Sequence, residues 1–271
     1  MPELPEVETT RRGIAPLVEG KRIASVITRT AGLRWPFPER LDELLAGQTI
    51  FTVQRRAKYL LLRCDDGSLI LHLGMSGHLR VVPQISPAGR HDHVDLVFAD
   101  GSCLRFNDPR RFGALLWTAD DPLRHPLLAG LGPEPFDAAQ NGDYLHRLSR
   151  GRKAPVKAFI MDQQVVVGVG NIYASEALFR AGIAPGRAAG RVGLARYRLL
   201  STVIREVLGE AIAAGGTTIR DFSGSDGRPG YFAIQLQVYG RSGKPCPRCG
   251  EAICQSRIGQ RSTYFCRACQ R

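Results

Sequence analysis

The apolar positions change their period twice along the chain. From Pro5 to about Val18, the residues Val7, Ile14, Leu17 and Val18 approximate a helical stripe that Gly13 and Pro16 weaken, which predicts a short helix at best. From Lys21 to about Trp117 the pattern becomes short β-branched and aliphatic runs: Arg22 to Thr30, Thr49 to Arg56, Tyr59 to Arg63, Ser68 to Leu73, His78 to Val82, His93 to Phe98 and Cys103 to Phe106. Asp65-Asp66-Gly67 and Asp100-Gly101 read as hairpin turns, and the whole stretch predicts an antiparallel β-sandwich. Between Leu131 and Asn141 periodicity disappears and two prolines occur, which predicts a domain boundary. The pattern then turns helical over Asp143 to Ser149, Val156 to Met161, Ile172 to Ala181 and Gly193 to Ala214. Gly215 to Gly230 is rich in Gly, Ser and Asp and is too long for a simple connector. No internal repeat is present.

A chain of 271 residues has room for two domains with a small appendage. Its formal net charge of +12 implies a polyanionic partner. Nucleic acid fits better than a membrane, because the basic residues are spread along the chain and no apolar run reaches the ~18 residues of a spanning helix. The amino terminus is acidic and has no apolar signal core, so a cytoplasmic location is expected. Of seven cysteines, Cys64 and Cys103 lie alone in strand-like runs and are expected to pack as small hydrophobes. The other five crowd into the last 26 residues.

There the spacing is Cys246-Pro-Arg-Cys249, sixteen residues, then Cys266-Arg-Ala-Cys269. Two such knuckles can place four thiolates around one structural Zn²⁺, with a disulfide pair as the alternative, and nothing suggests a catalytic metal. Between them Ala252 to Ile258 and Ser262 to Phe265 alternate like a hairpin, with Arg261 at its tip. A guanidinium there could grip a phosphate bidentately or simply be solvated.

The start, Met-Pro-Glu-Leu-Pro-Glu-Val-Glu, carries candidate covalent chemistry. A small second residue usually allows Met1 to be removed, leaving Pro2 with a free secondary amine. Terminal amines titrate near ~7.7–8.0 against ~10.4 for lysine, so about one in ten is unprotonated at neutral pH. Attack by a secondary amine on a sugar C1′ gives a permanently charged iminium, which is an electron sink. Glu3 is placed to pass protons, and Glu6 and Glu8 follow one helical turn on. The same residues also fit a processing signal at an ordinary helix start. Val165-Val-Val-Gly-Val-Gly-Asn171-Ile-Tyr-Ala-Ser-Glu176 runs into a helix that Asn171 could N-cap, with Gly168 and Gly170 admitting a phosphate. Gly74-Met75-Ser76-Gly77 and Asn107-Asp-Pro-Arg110-Arg111-Phe112-Gly113 read as turns. From composition alone Met75 and Phe112 are expected to tuck into the sandwich, but exposed at loop tips they would suit entry into a DNA stack.

Taken together, these motifs closely resemble the bacterial formamidopyrimidine-DNA glycosylases along the whole chain. The resemblance implies an α+β fold in three parts: an amino-terminal β-sandwich with flanking helices over 1–132, a helix-two-turn-helix domain over 133–237, and a zinc-finger β-hairpin over 238–271. DNA would lie in the cleft between the domains. It implies excision of oxidised purines, formamidopyrimidines and 8-oxoguanine, from double-stranded DNA, with strand cleavage by β,δ-elimination through a Schiff base on Pro2. Glu3 would transfer protons. Lys58 would belong with the catalytic set and, with Asn171 and Arg261, hold phosphates, joined by His72, His91 and Lys157. Met75, Arg110 and Phe112 would form the intercalating wedge, with Arg110 facing the orphaned cytosine. The loop 217–231 would cover the extruded base, Cys246, Cys249, Cys266 and Cys269 would bind zinc, and the enzyme would be a monomer. Cys254 and His78 match no family role. A sister glycosylase acting on oxidised pyrimidines and a noncatalytic zinc-finger DNA-binding protein are the rival readings.

Overall fold

The computed structural model describes residues 2–215 and 236–271. Met1 and the recognition loop expected at 217–231 lie outside the described residues. Two compact units are present, one built from residues up to Ala129, the other from Gly130–Ala213 with the described carboxy-terminal segment.

The first unit opens with helix α1 (Leu4–Val18). At 15 residues it corrects the short helix expected, and it runs through both Gly13 and Pro16. Pro16 lies in the last turn, where it removes a single helical hydrogen bond. The stripe of Leu4, Val7, Ile14 and Val18, at 0–1% exposure, outweighs that loss. Two four-stranded antiparallel sheets follow. In one, β1 (Ile23–Thr28), β6 (Asp92–Phe98), β7 (Ser102–Asn107) and β5 (His78–Pro83) lie in that order. In the other the order is β2 (Thr52–Arg56), β3 (Tyr59–Arg63), β4 (Ser68–His72) and β8 (Ala114–Thr118). The short helices α2 (Leu41–Leu45) and α3 (Pro126–Ala129) complete the unit. Leu60 and Leu62 pair with Leu71 and Leu69 across β3 and β4, and all four enter a core shared with α1 and the other sheet.

The end of the first sheet is braced by buried charge. Arg105, 2% exposed, forks onto both oxygens of Asp95 at 2.8 and 2.9 Å and onto the Ser86 and Pro87 carbonyls at 3.1 Å. Arg29 reaches Asp95 at 2.6 Å, while Arg80 and Asn107 both bond Asp92. Burial alone would raise the Asp95 carboxyl, but the bonds from Arg105 and Arg29 outweigh it and hold its pKa below the ordinary range. These bridges fix the strand ends from which the segment Asn107–Gly113 leaves the sheet.

The second unit contains α4 (Gly142–Ser149), α5 (Val156–Ile160), α6 (Asn171–Arg180) and α7 (Leu194–Ala213), followed by a hairpin of β9 (Cys254–Ile258) and β10 (Arg261–Phe265). Asn141 caps α4 by accepting the Tyr144 amide at 2.9 Å. Gly142 lets α4 cross α7 closely, since a Cβ there would stand 2.2 Å from the Arg198 Cα. The finger is packed on α6 through a small core of Phe179, Val238, Cys246, Ile253 and Cys266. Among the described residues no helix is long and apolar enough to cross a membrane.

Candidate active site and nucleic-acid interface

At the amino terminus Pro2 is buried, and Glu3 and Glu6 are 2% and 0% exposed. Glu3 occupies the N-cap of α1 and Glu6 the third helical position, forming a capping box in which Glu6 Oε2 accepts the Glu3 amide at 2.8 Å. The chain end is therefore fixed in direction by the helix it starts. Burial raises the Glu8 carboxyl, but bonds from Arg11 and Arg12 and the Arg55 charge outweigh it, so Glu8 stays below the ordinary carboxylate range. Glu8 is thus an ionised structural anchor.

Lys58 is the second residue of the two-residue turn joining β2 to β3, with Ala57 in the left-handed region at φ +54°. Across the sheet Tyr59 pairs with His72, their rings 4.8 Å apart. Burial, then the charges of Lys58 and Arg34, push the His72 pKa down to about 4. His72 Nδ1 accepts the Gly74 amide at 3.0 Å, so the neutral ring carries its proton on Nε2, as a donor. His91 is half-buried at the base of the Asn107–Gly113 loop, its carbonyl accepting the Asp108 amide at 3.0 Å.

Phe112 is 51% exposed, which corrects the expectation that it tucks into the sandwich. The space beneath is already filled: a Cβ on Gly77 or Gly113 would meet the Phe106 ring at 2.9 or 2.8 Å. Met75 is partly exposed beside it and receives the Arg110 guanidinium at 3.6 Å. Arg34, His72, Gly74, Met75 and Phe112 line a depression of about 440 Å³.

In the second unit a polar cluster surrounds the start of α6. The N-cap is Gly170 rather than the expected Asn171, which sits one residue inside the helix. Gly170 is extended and its carbonyl takes the first helical bond, from Ala174 at 2.9 Å. This frees the Asn171 carboxamide, whose Nδ2 donates to the Ser262 carbonyl at 3.0 Å and the Tyr239 hydroxyl at 3.3 Å. Its oxygen accepts Lys157 Nζ at 2.6 Å. Lys157, expected among the DNA contacts, is only 1% exposed; Nζ also bonds Thr263 Oγ1 at 2.8 Å and the Ser262 carbonyl at 3.3 Å. Its ammonium therefore joins α6 to the finger hairpin. Arg261 is exposed at the start of β10 and lines a 200 Å³ hollow with Lys157, Ala158, Met161, Ile258 and Gly259.

Residues not singled out from sequence complete these sites. Glu176 on α6, 1% exposed, accepts three consecutive amides, Gln237, Val238 and Tyr239, at 2.9–3.0 Å and so fixes the strap bearing Tyr239. Arg248, inside the first cysteine knuckle, stacks on Phe179 at 4.7 Å and donates to the Phe179 and Arg180 carbonyls at the end of α6. Both contacts span more than sixty residues and left no signal in the sequence.

The four knuckle sulfurs all lie within 4.8 Å of one another. Cys246 to Cys269 is 3.9 Å and Cys249 to Cys266 is 3.4 Å. Zn–S bonds of ~2.3 Å give tetrahedron edges near ~3.8 Å, whereas a disulfide needs ~2.05 Å. The donor set fits one structural zinc. Cys254 stands outside it, its thiol directed at the Ala252 carbonyl.

Family models match nearly the whole chain: the formamidopyrimidine-DNA glycosylase N-terminal domain over residues 1–115, the H2TH domain of those glycosylases over 131–223, and the zinc finger found in FPG and IleRS over 243–271. The formamidopyrimidine-DNA glycosylase of Alkalilimnicola ehrlichii is 68% identical, with both chains covered completely. Two solved structures of the Lactococcus lactis enzyme are 34% identical, covering 99% of each chain. One is bound to DNA containing Fapy-dG, with a TM-score of 0.90, and the other to DNA containing an abasic site, with a TM-score of 0.91.

Proposed function

Since the chain belongs to the formamidopyrimidine-DNA glycosylase family and is a DNA-repair glycosylase, we propose that it excises formamidopyrimidines and 8-oxoguanine from double-stranded DNA as a monomer. It then cleaves the strand as an AP lyase, through a Schiff base on Pro2. The observation that carries this reading is the amino terminus, where Pro2 is buried immediately before a capped helix with Glu3 and Glu6 beside it in sequence.

The surplus of basic side chains gives salt-sensitive, sequence-independent attraction to duplex DNA. Lys58, His72, His91, Asn171 and Arg261 hold phosphates around the lesion, His72 through its neutral Nε2–H and Arg261 through its guanidinium fork. Lys157 serves the same site by orienting Asn171. Rotating a nucleotide out of the stack costs a few kcal/mol, less for a damaged base, and Met75, Arg110 and Phe112 fill the gap. The Pro2 nitrogen, unprotonated in part at neutral pH, bonds to C1′ while the C1′–N bond to the damaged base breaks and the base leaves with a proton delivered through Glu3. The adduct becomes an iminium when the C1′–O4′ bond breaks and Glu3 passes the proton of the Pro2 nitrogen to O4′. The iminium acidifies the C2′ proton, whose loss expels the 3′ phosphate, and a second elimination, with loss of the C4′ proton, expels the 5′ phosphate. Zinc on Cys246, Cys249, Cys266 and Cys269 would hold the finger hairpin folded.

Pro2→Gly tests the assignment. Borohydride reduction of the enzyme on lesion DNA is expected to give a covalent adduct with the native chain and a much lower yield with the variant, whose glycine offers only a primary terminal amine, while DNA binding persists. Adduct at undiminished yield from Pro2→Gly removes Pro2 from the mechanism.

A further inference from the structure

The wedge residues reside on two loops more than thirty positions apart in sequence, the one joining β4 to β5 and the one joining β7 to β8. We propose that Ser76 and Asp108 are positioning residues that lock these loops into one preassembled wedge, so that Met75, Arg110 and Phe112 enter the base stack together. This rests on the wedge role argued above.

Ser76 and Asp108 are 2% and 0% exposed. Ser76 Oγ donates to Asp108 Oδ1 at 2.7 Å and accepts the Arg110 amide at 3.1 Å. The other carboxylate oxygen accepts the Gly113 amide at 2.7 Å. Each clamped residue neighbours a wedge residue: Ser76 follows Met75, Arg110 is itself one, and Gly113 follows Phe112. The backbones touch as well, since a Cβ on Gly74 would lie 2.4 Å from both the Gly113 nitrogen and the Phe112 carbonyl carbon. Gly74 also stands at φ +62°, a conformation that favours glycine. The far side of the clamp is held by His93, whose Nε2 meets the Asp108 carbonyl oxygen at 2.9 Å.

The chemistry calls for an ionised aspartate. A carboxylate only accepts, and both of its oxygens here face donors; asparagine would turn N–H groups against one of them. Among the described residues no cation pairs with Asp108, so a buried negative charge is kept on neutral donors at a desolvation cost. Loops that had only to close the sandwich could avoid that cost. A rigid wedge has a use for it, because side chains already ordered lose no rotamer freedom when they enter the gap left by the extruded base.

Single-turnover excision of a formamidopyrimidine from duplex DNA, compared with elimination at a preformed base-free site in an unpaired region, tests the proposal. Ser76→Ala is expected to slow excision about tenfold, equivalent to about 1.4 kcal/mol of barrier, and to leave elimination within about twofold. In a Phe112→Ala background the same change is expected to have little further effect, because the body it steadied has lost its tip. Asp108→Asn is expected to act in the same direction as Ser76→Ala; should it fail to fold, Ser76→Ala, which deletes one hydroxyl, decides. Equal losses in both reactions, no loss in excision, or multiplied effects of Ser76→Ala and Phe112→Ala overturn the proposal. If Phe112→Ala alone leaves excision unchanged, the wedge reading fails and takes the clamp with it. If Phe112→Ala slows excision and Ser76→Ala does not, the clamp alone fails.

Discussion

Replacing Lys157 with methionine separates two roles that a lysine near a DNA site can have. The stem is kept and the ammonium removed. Burial at 1% exposure means that the change relieves a desolvation penalty of several kcal/mol. Against this, the Asn171 carboxamide oxygen loses a charged donor worth about 1.5–3 kcal/mol. The other two acceptors keep partners: the Ser262 carbonyl retains Asn171 Nδ2 at 3.0 Å, and the Thr263 hydroxyl still donates to the Arg261 carbonyl at 3.3 Å. The opposed terms leave fold stability within about 2 kcal/mol of the native value. DNA affinity responds differently, because Asn171, held through Nδ2 alone once its oxygen has lost the ammonium, is less well ordered and must recover that order on binding, at up to about 0.5–1.5 kcal/mol. Anisotropy titrations of lesion duplex over a range of salt concentrations are expected to show Lys157→Met binding about two- to tenfold more weakly at every concentration. The slope of log K against log salt should not change. A lysine resting on a phosphate would contribute about 0.9 to that slope. A loss of that size, or an unchanged affinity, refutes the positioning role.

Phe112→Ala is expected to slow excision of a stacked lesion more than elimination at a base-free site, measured in single turnovers; equal losses count against the wedge. His72 gives acid sensitivity: with a folded pKa near 4 against about 6.5 unfolded, the unfolded chain takes up the proton first. Its contribution, on the order of 3 kcal/mol, is present above pH 6.5 and is lost as pH falls from there to about 4. Urea midpoints of His72→Gln and the native chain should therefore converge over that window, and parallel curves contradict it. Cys249→Ala is expected to lose the bound zinc, read by atomic absorption, and with it at least about tenfold in DNA affinity.

Much of this was legible in the chain. The sandwich strands announced themselves because β3 and β4, buried on both faces, are continuous aliphatic runs. The metal site was legible because its ligands come in local pairs whose spacing is itself the geometry. Helix α1 was underestimated, since Gly13 and Pro16 speak against it locally while the core contacts that override them are distant. The outward turn of Phe112 depends on where the Phe106 ring lies, and the inward turn of Lys157 on a hairpin over a hundred residues away. Glu176, Ser76 and Asp108 carried no sequence signal for one reason: a polar side chain that bonds a group on a remote segment has no period and no spacing.

Helix α6 carries the Asn171 cluster at one end and, at the other, an arginine from within a cysteine knuckle. Ten residues of helix span about 15 Å, so α6 acts as a stiff strut between the four-cysteine site and the Asn171 cluster. Loss of the thiolates would free Arg248 from the foot of that strut, so on the proposed reading damage at the cysteines would be felt at the Asn171 cluster, whereas Pro2 and Glu3 belong to the other unit.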